Sequence, residues 1–402
     1  MIQLKRTIGV CILACALVQA VEVHATTYYV ATTGNNNNPG TSAKPWRNVA
    51  YAVSKMVAGD TTYVRGGTYK EGLIRFTKSG TSSAPIKLLN ESGQSPVIDC
   101  IDKTKAHRVD LSRSGSNSPI GWITIEGFEI RNCYNGIKFT NGHDLTIRRN
   151  WIHHSAPGSG ILGNGTRILI DRNRINRATG HGIYAAGTTY TITNNLIYDN
   201  QTYGIQLNGS SSSYYNPSYH TGPEFALSAN WKIVNNTFAY SLNRAGLVVW
   251  GSTCNNTLIQ NNIFYENGVK LSSTAPQGID FISTTCKGLQ IRNNLAYASS
   301  AGAMRFLGTG AKEGTHYTQS GNIVNTLKPA FVNAPATLPS SPNFALPSGS
   351  SAIDKGTVIS TAKIAFNGTS RPKGSTYDVG AYEYNGSTSQ LLLAAPTSAQ
   401  AF

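Results

Sequence analysis

Lys138, His181, Tyr184 and Arg244 are the residues of this 402-residue chain whose types and placement suit chemistry. A lysine or arginine can hold an anion, or take up a proton once burial and neighbouring charge lower its own proton affinity. A histidine or tyrosine close by can pass that proton on. All four stand at or beside one recurring dipeptide, Gly-Ile or its variant Gly-Leu. The position after it reads Lys138, Leu162, Tyr184, Gln206, Val248 and Asp280, and the position before it adds His181 and Tyr203. Arg244 comes two residues ahead of Gly246. Exposure on an outer face would explain any single member, but together they are chemically rich.

The elements that must position them emerge when segments are laid under one another. "LTIRRNWIHHSAPGSGILG" from Leu145, "ILIDRNRINRATGHGIYA" from Ile168, "YTITNNLIYDNQTYGIQL" from Tyr190 and "WKIVNNTFAYSLNRAGLVV" from Trp231 share one frame. Asn recurs in it at Asn150, Asn173, Asn195, Asn236, Asn262 and Asn294. A repeat of roughly 22 residues made of short alternating strands is the signature of a parallel β-solenoid. Each copy would be one rung, stacked at about 4.8 Å, with inward Ile, Leu and Val columns forming the core. The repeated Asn is expected at a turn, tolerating left-handed backbone and bonding to its own copy one rung away. That ladder is structural and carries no chemistry.

Composition agrees with a β-rich, turn-rich chain: 40 Gly, 3 Met and 40% hydrophobic residues. The start, "MIQLKRTIGVCILACALVQAVEVHA", reads as an export signal over residues 1–25, with cleavage after Ala20 or Ala25. "ILAC", ending at Cys15, offers lipoprotein anchoring as the alternative. No later stretch is apolar enough to span a bilayer. The expectation is therefore a secreted, periplasmic or cell-surface monomer. Losing Lys5, Arg6 and Glu22 lowers the formal charge of +15 by only one, and so basic a surface favours an anionic partner. Cys254 and Cys286 open successive rungs, and Cys100 and Cys133 fall near the ends of neighbouring early rungs, so two disulfides are expected.

Both ends of the chain carry a family resemblance. "TTYYVATTGNNNNPGTSAKPWRNVAYAVSKMVAGDTTYVRGGTYKE" resembles the amino-terminal cap of exported bacterial right-handed parallel β-helix proteins, one family of pectate lyases among them. Its Trp46, Val49, Val53, Met56 and Val57 fall on one helical face, suited to plugging the solenoid. "SSAIDKGT" and "SRPKGSTYDVGAYEY" resemble the closing segment of the same class. The resemblance implies an all-β, right-handed parallel β-helix over residues 26–385. The cap would take about 26–80, the closing segment about 340–385, and 386–402 would be a loose tail. It fixes fold and leaves function open, since enzymes and non-enzymes share these motifs.

Function must come from departures from the ladder. Asn208 to Ser228 is a long insertion directly after a Gly-Ile strand, and Tyr214, Tyr215, Tyr219 and His220 within it could stack on sugar rings. A second insertion, "ENGVKLSSTAPQ", precedes "GIDF", which makes the Gly-Ile strand the candidate groove floor. Such a groove suits β-elimination of a polyuronate: the sugar carboxylate is neutralised, its C5 proton removed and O4 expelled. Lys138 and Arg244 would hold the carboxylate or take the proton, and His181 and Tyr184 would transfer protons. Tyr203, Gln206, His153 and Arg148 join the inserted loop as substrate contacts. Related lyases use calcium, which needs several oxygen ligands. Here Asp171, Asp199 and Asp280 are scattered, so calcium is an alternative only, with Asp280 its candidate ligand.

"GHG" at Gly180–Gly182 matches a motif of β-helical polygalacturonases, but the aspartate pair that hydrolysis needs is missing. His153 and His154 are adjacent, so both can line one groove only where the backbone turns. Arg148, Arg149, Arg172, Arg174 and Arg177 form a basic row, read equally as electrostatic support or a solvated face. An export signal without a nucleic-acid motif counts against a nucleic-acid partner. The expectation is thus a lyase acting on an acidic polysaccharide; the alternatives are a non-catalytic carbohydrate-binding protein, a uronate C5-epimerase or a glycoside hydrolase.

Overall fold

A computed structural model of the chain describes residues 25–101, 107–112, 119–208, 228–251, 254–270, 276–282 and 285–386. Residues 1–24, where the export signal and Cys15 were expected, the residues after 386 and most of the Asn208–Ser228 insertion lie outside the described residues. Among the described residues no helix is long and apolar enough to cross a membrane.

Strands stack in parallel, each against its copy one rung away, and three such faces wind into a β-helix. The first face starts at Leu73–Arg75 and Arg108–Leu111 and passes through the leading halves of Ile137–Arg148, Ile161–Asp171 and Ile183–Thr193. It continues through Ile205–Asn208, Leu247–Trp250, Gln277–Ile282 and Arg305–Leu307. The trailing halves of the three long strands belong to the second face. The third runs from Gly67–Lys70 to the two-residue strand Ile323–Val324.

Inward positions alternate with outward ones, and on the first face the inward column is Ile137, Ile161, Ile183, Ile205, Leu247 and Ile279, all fully buried. Removing each such side chain from water contributes about 1.5–3 kcal/mol, so the stacked columns are the main source of cohesion. The glycine ahead of them has a steric reason. A Cβ on Gly182 would lie 2.6 Å from the carbonyl oxygen of Gly204, and one on Gly204 would lie 2.4 Å from that of Gly246. Rungs approach too closely there for any side chain.

The Asn ladder forms as the repeat predicts. The side-chain amide of Asn150 donates to Asn173 Oδ1 at 3.1 Å, Asn173 to Asn195 at 3.0 Å, Asn195 to Asn236 at 2.9 Å, and so on to Asn322. One detail needs correction. The left-handed residue is the one preceding each laddered Asn, namely Arg149, Arg172, Asn194, Asn235, Asn261 and Asn293. The laddered amide is spent on its neighbours, and its predecessor makes the turn.

Both expected disulfides are present, Cys100–Cys133 and Cys254–Cys286, each with a Cα–Cα distance of 4.9 Å. The capping helix is short, Val49–Lys55, and buries Val49, Ala52 and Val53. Its first two amides donate to the Glu71 carboxylate at 2.7 Å each. Trp46 and Met56 are buried beside it, whereas Val57 lies past the helix end and is exposed rather than on the plugging face. The carboxy-terminal segment runs along the side of the solenoid. Its Phe344, Leu346 and Tyr382 pack against Tyr198, Tyr240 and Tyr265 of the third face.

Replacing Asn195 by alanine strands the backbone amide of Asn173, takes one of the two acceptors from its side-chain amide and removes a donor to Asn236. The expected loss is about 3 kcal/mol or more, read as a lower denaturant midpoint.

Candidate functional site

The outward column of the first face is in register across the rungs: Lys138 pairs with Leu162, then Tyr184, Gln206, Val248 and Asp280. Register extends it two rungs the other way, to Asp110 and Arg75. The result is a straight polar track on one face with two clusters of functional side chains.

The first cluster surrounds Asp110, whose side chain is completely buried. Its Oδ2 accepts from Arg75 Nη2 at 3.1 Å and from Arg108 Nη2 at 3.0 Å, while Oδ1 has no hydrogen-bond partner. Lys138 stands on the next rung. Burial lowers its proton affinity, and the charges of Arg108 and Arg75 lower it further against the opposing pull of Asp110. Arg75, Arg108 and Lys138 thus gather about the Asp110 carboxylate, and the lysine is tuned toward the neutral amine that can act as a base.

The second cluster lies two to five rungs further on. His181 meets the ring of Tyr184 edge-on at 5.0 Å, stacks with Tyr203 at 5.8 Å, and has Nδ1 2.5 Å from the Thr202 hydroxyl. Burial alone pulls its imidazole down to about 4, so it is neutral at neutral pH. Tyr203 packs outside the solenoid on Ala245 and Val248, and its hydroxyl donates to Asp280 Oδ2 at 3.3 Å. Burial and the Asp280 charge push its ionisation well up, with Arg244 offsetting part of the rise. Tyr203 is therefore a donor and not a base. Arg244 itself is exposed. Gln206 is buried on the track, its amide 3.4 Å from Asn208 Oδ1.

The Ser228 hydroxyl donates to the Asn208 carbonyl, so the long insertion leaves and re-enters at one point beside the track. Tyr214, Tyr215, Tyr219 and His220 within it lie outside the described residues.

Two sequence-derived contacts belong elsewhere. Arg148 ends the second-face stretch and is paired with Glu126 at 2.6 Å. His153 is on the third face, buried, with Nε2 3.2 Å from Glu129 Oε1. The left-handed backbone at His154 turns the chain, which brings the two imidazoles together at 2.5 Å away from the groove. Sequence reading also missed residues. Arg75, Arg108 and Asp110 were legible in "LIRF" and "RVDL", which repeat the alternation of "GIKF". Trp250 points outward two residues past Val248 and is 40% exposed, a further platform on the same strand.

Calcium does not fit the described residues. Asp110 has cations on both flanking rungs, Asp280 is taken by Tyr203 and by the Phe281 amide at 2.9 Å, and no third carboxylate converges on either.

Residues 28–181 match the family model described as the Pel9A-like, right-handed β-helix region. Over that stretch the chain is similar to the Pel9A-like right-handed β-helix region. That region holds Arg75, Arg108, Asp110, Lys138 and His181. Pectate lyase PEL9 of Emericella nidulans is 36% identical over 121 residues, 30% of this chain and 29% of that protein. The uncharacterized protein YwoF of Bacillus subtilis (strain 168) is 41% identical over 70 residues, 17% of this chain and 15% of that one. The matched stretches thus span less than a third of either relative. Among solved structures, pectate lyase Pel9A aligns with a TM-score of 0.49 at 19% identity, covering 90% of this chain and 98% of that one. XylC in complex with xylose aligns with a TM-score of 0.49 at 11% identity, covering 89% and 98%. No activity is read from either alignment.

The state of His181 gives a test. Its folded value of about 4 lies below the usual 6.5, so between those values the unfolded chain binds a proton that the folded chain refuses. Stability is expected to fall as pH drops through this window. A ring NMR titration of His181 should show its midpoint near pH 4, and a midpoint above 6 would contradict the burial seen here.

Proposed function

We propose that the protein cleaves a uronate-containing polysaccharide by β-elimination, with the polymer lying along the first-face track. The observation that carries this reading is Lys138 beside the Arg75–Asp110–Arg108 group. A lyase must neutralise the carboxylate to acidify the C5 proton, then remove that proton. Arg75 and Arg108, oriented by the buried Asp110, supply charge for the carboxylate. Lys138 supplies the amine. The C5–H electrons become the C4–C5 double bond, the C4–O4 bond breaks toward oxygen, and Lys138 carries away the C5 proton. The leaving oxygen takes a proton from solvent.

Tyr184, Gln206 and Trp250 extend the track for neighbouring sugar units, with His181 and Tyr203 holding the Tyr184 ring and Asp280 in place. The relative named as a pectate lyase supports this substrate class, and the formal charge of +15 favours an acidic polymer. Two disulfides support an extracellular setting, where such polymers are met.

The test follows the ultraviolet absorbance of unsaturated uronates when the protein meets pectate, alginate and glycosaminoglycans, with and without chelator. A rise on one polymer is expected, and Lys138→Ala should reduce it at least ~100-fold. The rate should climb with pH as Lys138 loses its proton. Absence of any rise on all polymers would overturn the lyase reading. Altered uronate stereochemistry without cleavage would point instead to an epimerase.

A further inference from the structure

The carboxy-terminal segment covers the left-handed turn column, but only part of it. Asn194 accepts from Arg371 Nη2 at 3.4 Å, Asn235 donates to the Asp378 carbonyl at 2.9 Å, and Asn261 to the Thr357 carbonyl at 2.8 Å. Among the described residues, no carboxy-terminal group bonds to the two earlier members, Arg149 and Arg172. They line a cleft of about 360 Å³ that continues the seam, walled on one side by Phe366 and on the other by Asn90. The turn does not call for arginine, because the next four rungs make it with asparagine. This cleft is on the edge between the second and third faces, away from the Lys138 track.

Its chemistry is mixed. Arg149 is fixed by Glu126 at 3.0 Å and Arg172 by Asp171 at 2.8 Å, each through one nitrogen. Trp151 adds an aromatic wall, itself anchored through Nε1 to Asn176 Oδ1 at 2.9 Å. Glu129, only 8% exposed, also lines the cleft. Its Oε1 accepts from Arg131 at 3.0 Å and His153 at 3.2 Å, whereas Oε2 is buried without a partner. Burial opposes its charge, but His153 and Arg131 outweigh that and hold the carboxyl below its usual range. Its Oε2 is closed to solvent, so Glu129 stands behind the cleft wall and fixes Arg131 and His153 there.

We propose that this cleft is a non-catalytic binding site for one or two uronic-acid units, with the carboxylate held by Arg149 and Arg172. An anionic ring matches the paired arginines, and the cleft volume is in the range of small-ligand sites. The site would hold an acidic chain on the solenoid at a second place, independent of turnover. It goes beyond the lyase reading and can stand if that reading fails.

The test is calorimetric titration of the full chain with digalacturonate and with its uncharged counterpart galactobiose. Binding of digalacturonate with little or none of galactobiose is expected. Arg149→Asn with Arg172→Asn, which installs the residue other rungs use at this turn, should weaken it about tenfold or more. Lys138→Ala should leave it in place. Absence of digalacturonate binding at millimolar concentration, equal binding of galactobiose, an unchanged arginine double variant, or loss of all binding in Lys138→Ala would each overturn the proposal.

Discussion

Everything in this molecule depends on keeping successive rungs in register, and the interaction that enforces it is the buried amide-to-amide hydrogen bond of the Asn column. Hydrophobic stacking alone tolerates sliding, because one Ile column packs on another at several offsets. A buried amide does not. Each laddered Asn donates to the next Asn and accepts from the previous one, so a slip of one residue would strand donors and acceptors without water. The Gly–Gly close approach on the first face acts in the same direction by sterics, since only glycine fits at that spacing.

Register is what turns a scattered set of residues into a track. Arg75, Asp110, Lys138, Tyr184 and Asp280 are far apart in sequence, yet the stacked register sets them on one line at whole multiples of about 4.8 Å. A stiff scaffold also makes pairings such as Arg75–Asp110–Arg108 cheap to hold, because the backbone carries the ordering cost. The clusters sit where outward positions on neighbouring rungs happen to be polar together.

Much of this was legible in the sequence, and the gaps have physical causes. The Gly-Ile frame gave the outward column from Lys138 to Asp280 because alternation and repeat length are both local signals. The upstream members escaped notice because their rungs lack the glycine: "LIRF" and "RVDL" keep the alternation without the punctuation. His153 and Arg148 were misplaced for the converse reason. They lie past the corner of a rung, where a left-handed residue redirects the chain, and a linear pattern does not say where a corner falls. Glu129 pairs with Arg131 within its own strand, but its contact with His153 crosses to the next rung of the third face, so no single segment shows that one.

The taper of the solenoid has a further consequence. Third-face strands end in the two-residue Ile323–Val324, and the opposite end is plugged by the Val49–Lys55 helix. A stack of parallel strands is by construction a template onto which another molecule could add, as in fibres. Here a newcomer would find a helix at one end and, among the described residues, only the short strands Arg305–Leu307, Tyr317–Ser320 and Ile323–Val324 at the other. The same repetition that builds the track is thereby kept from propagating, and the length of the molecule is set by its two ends.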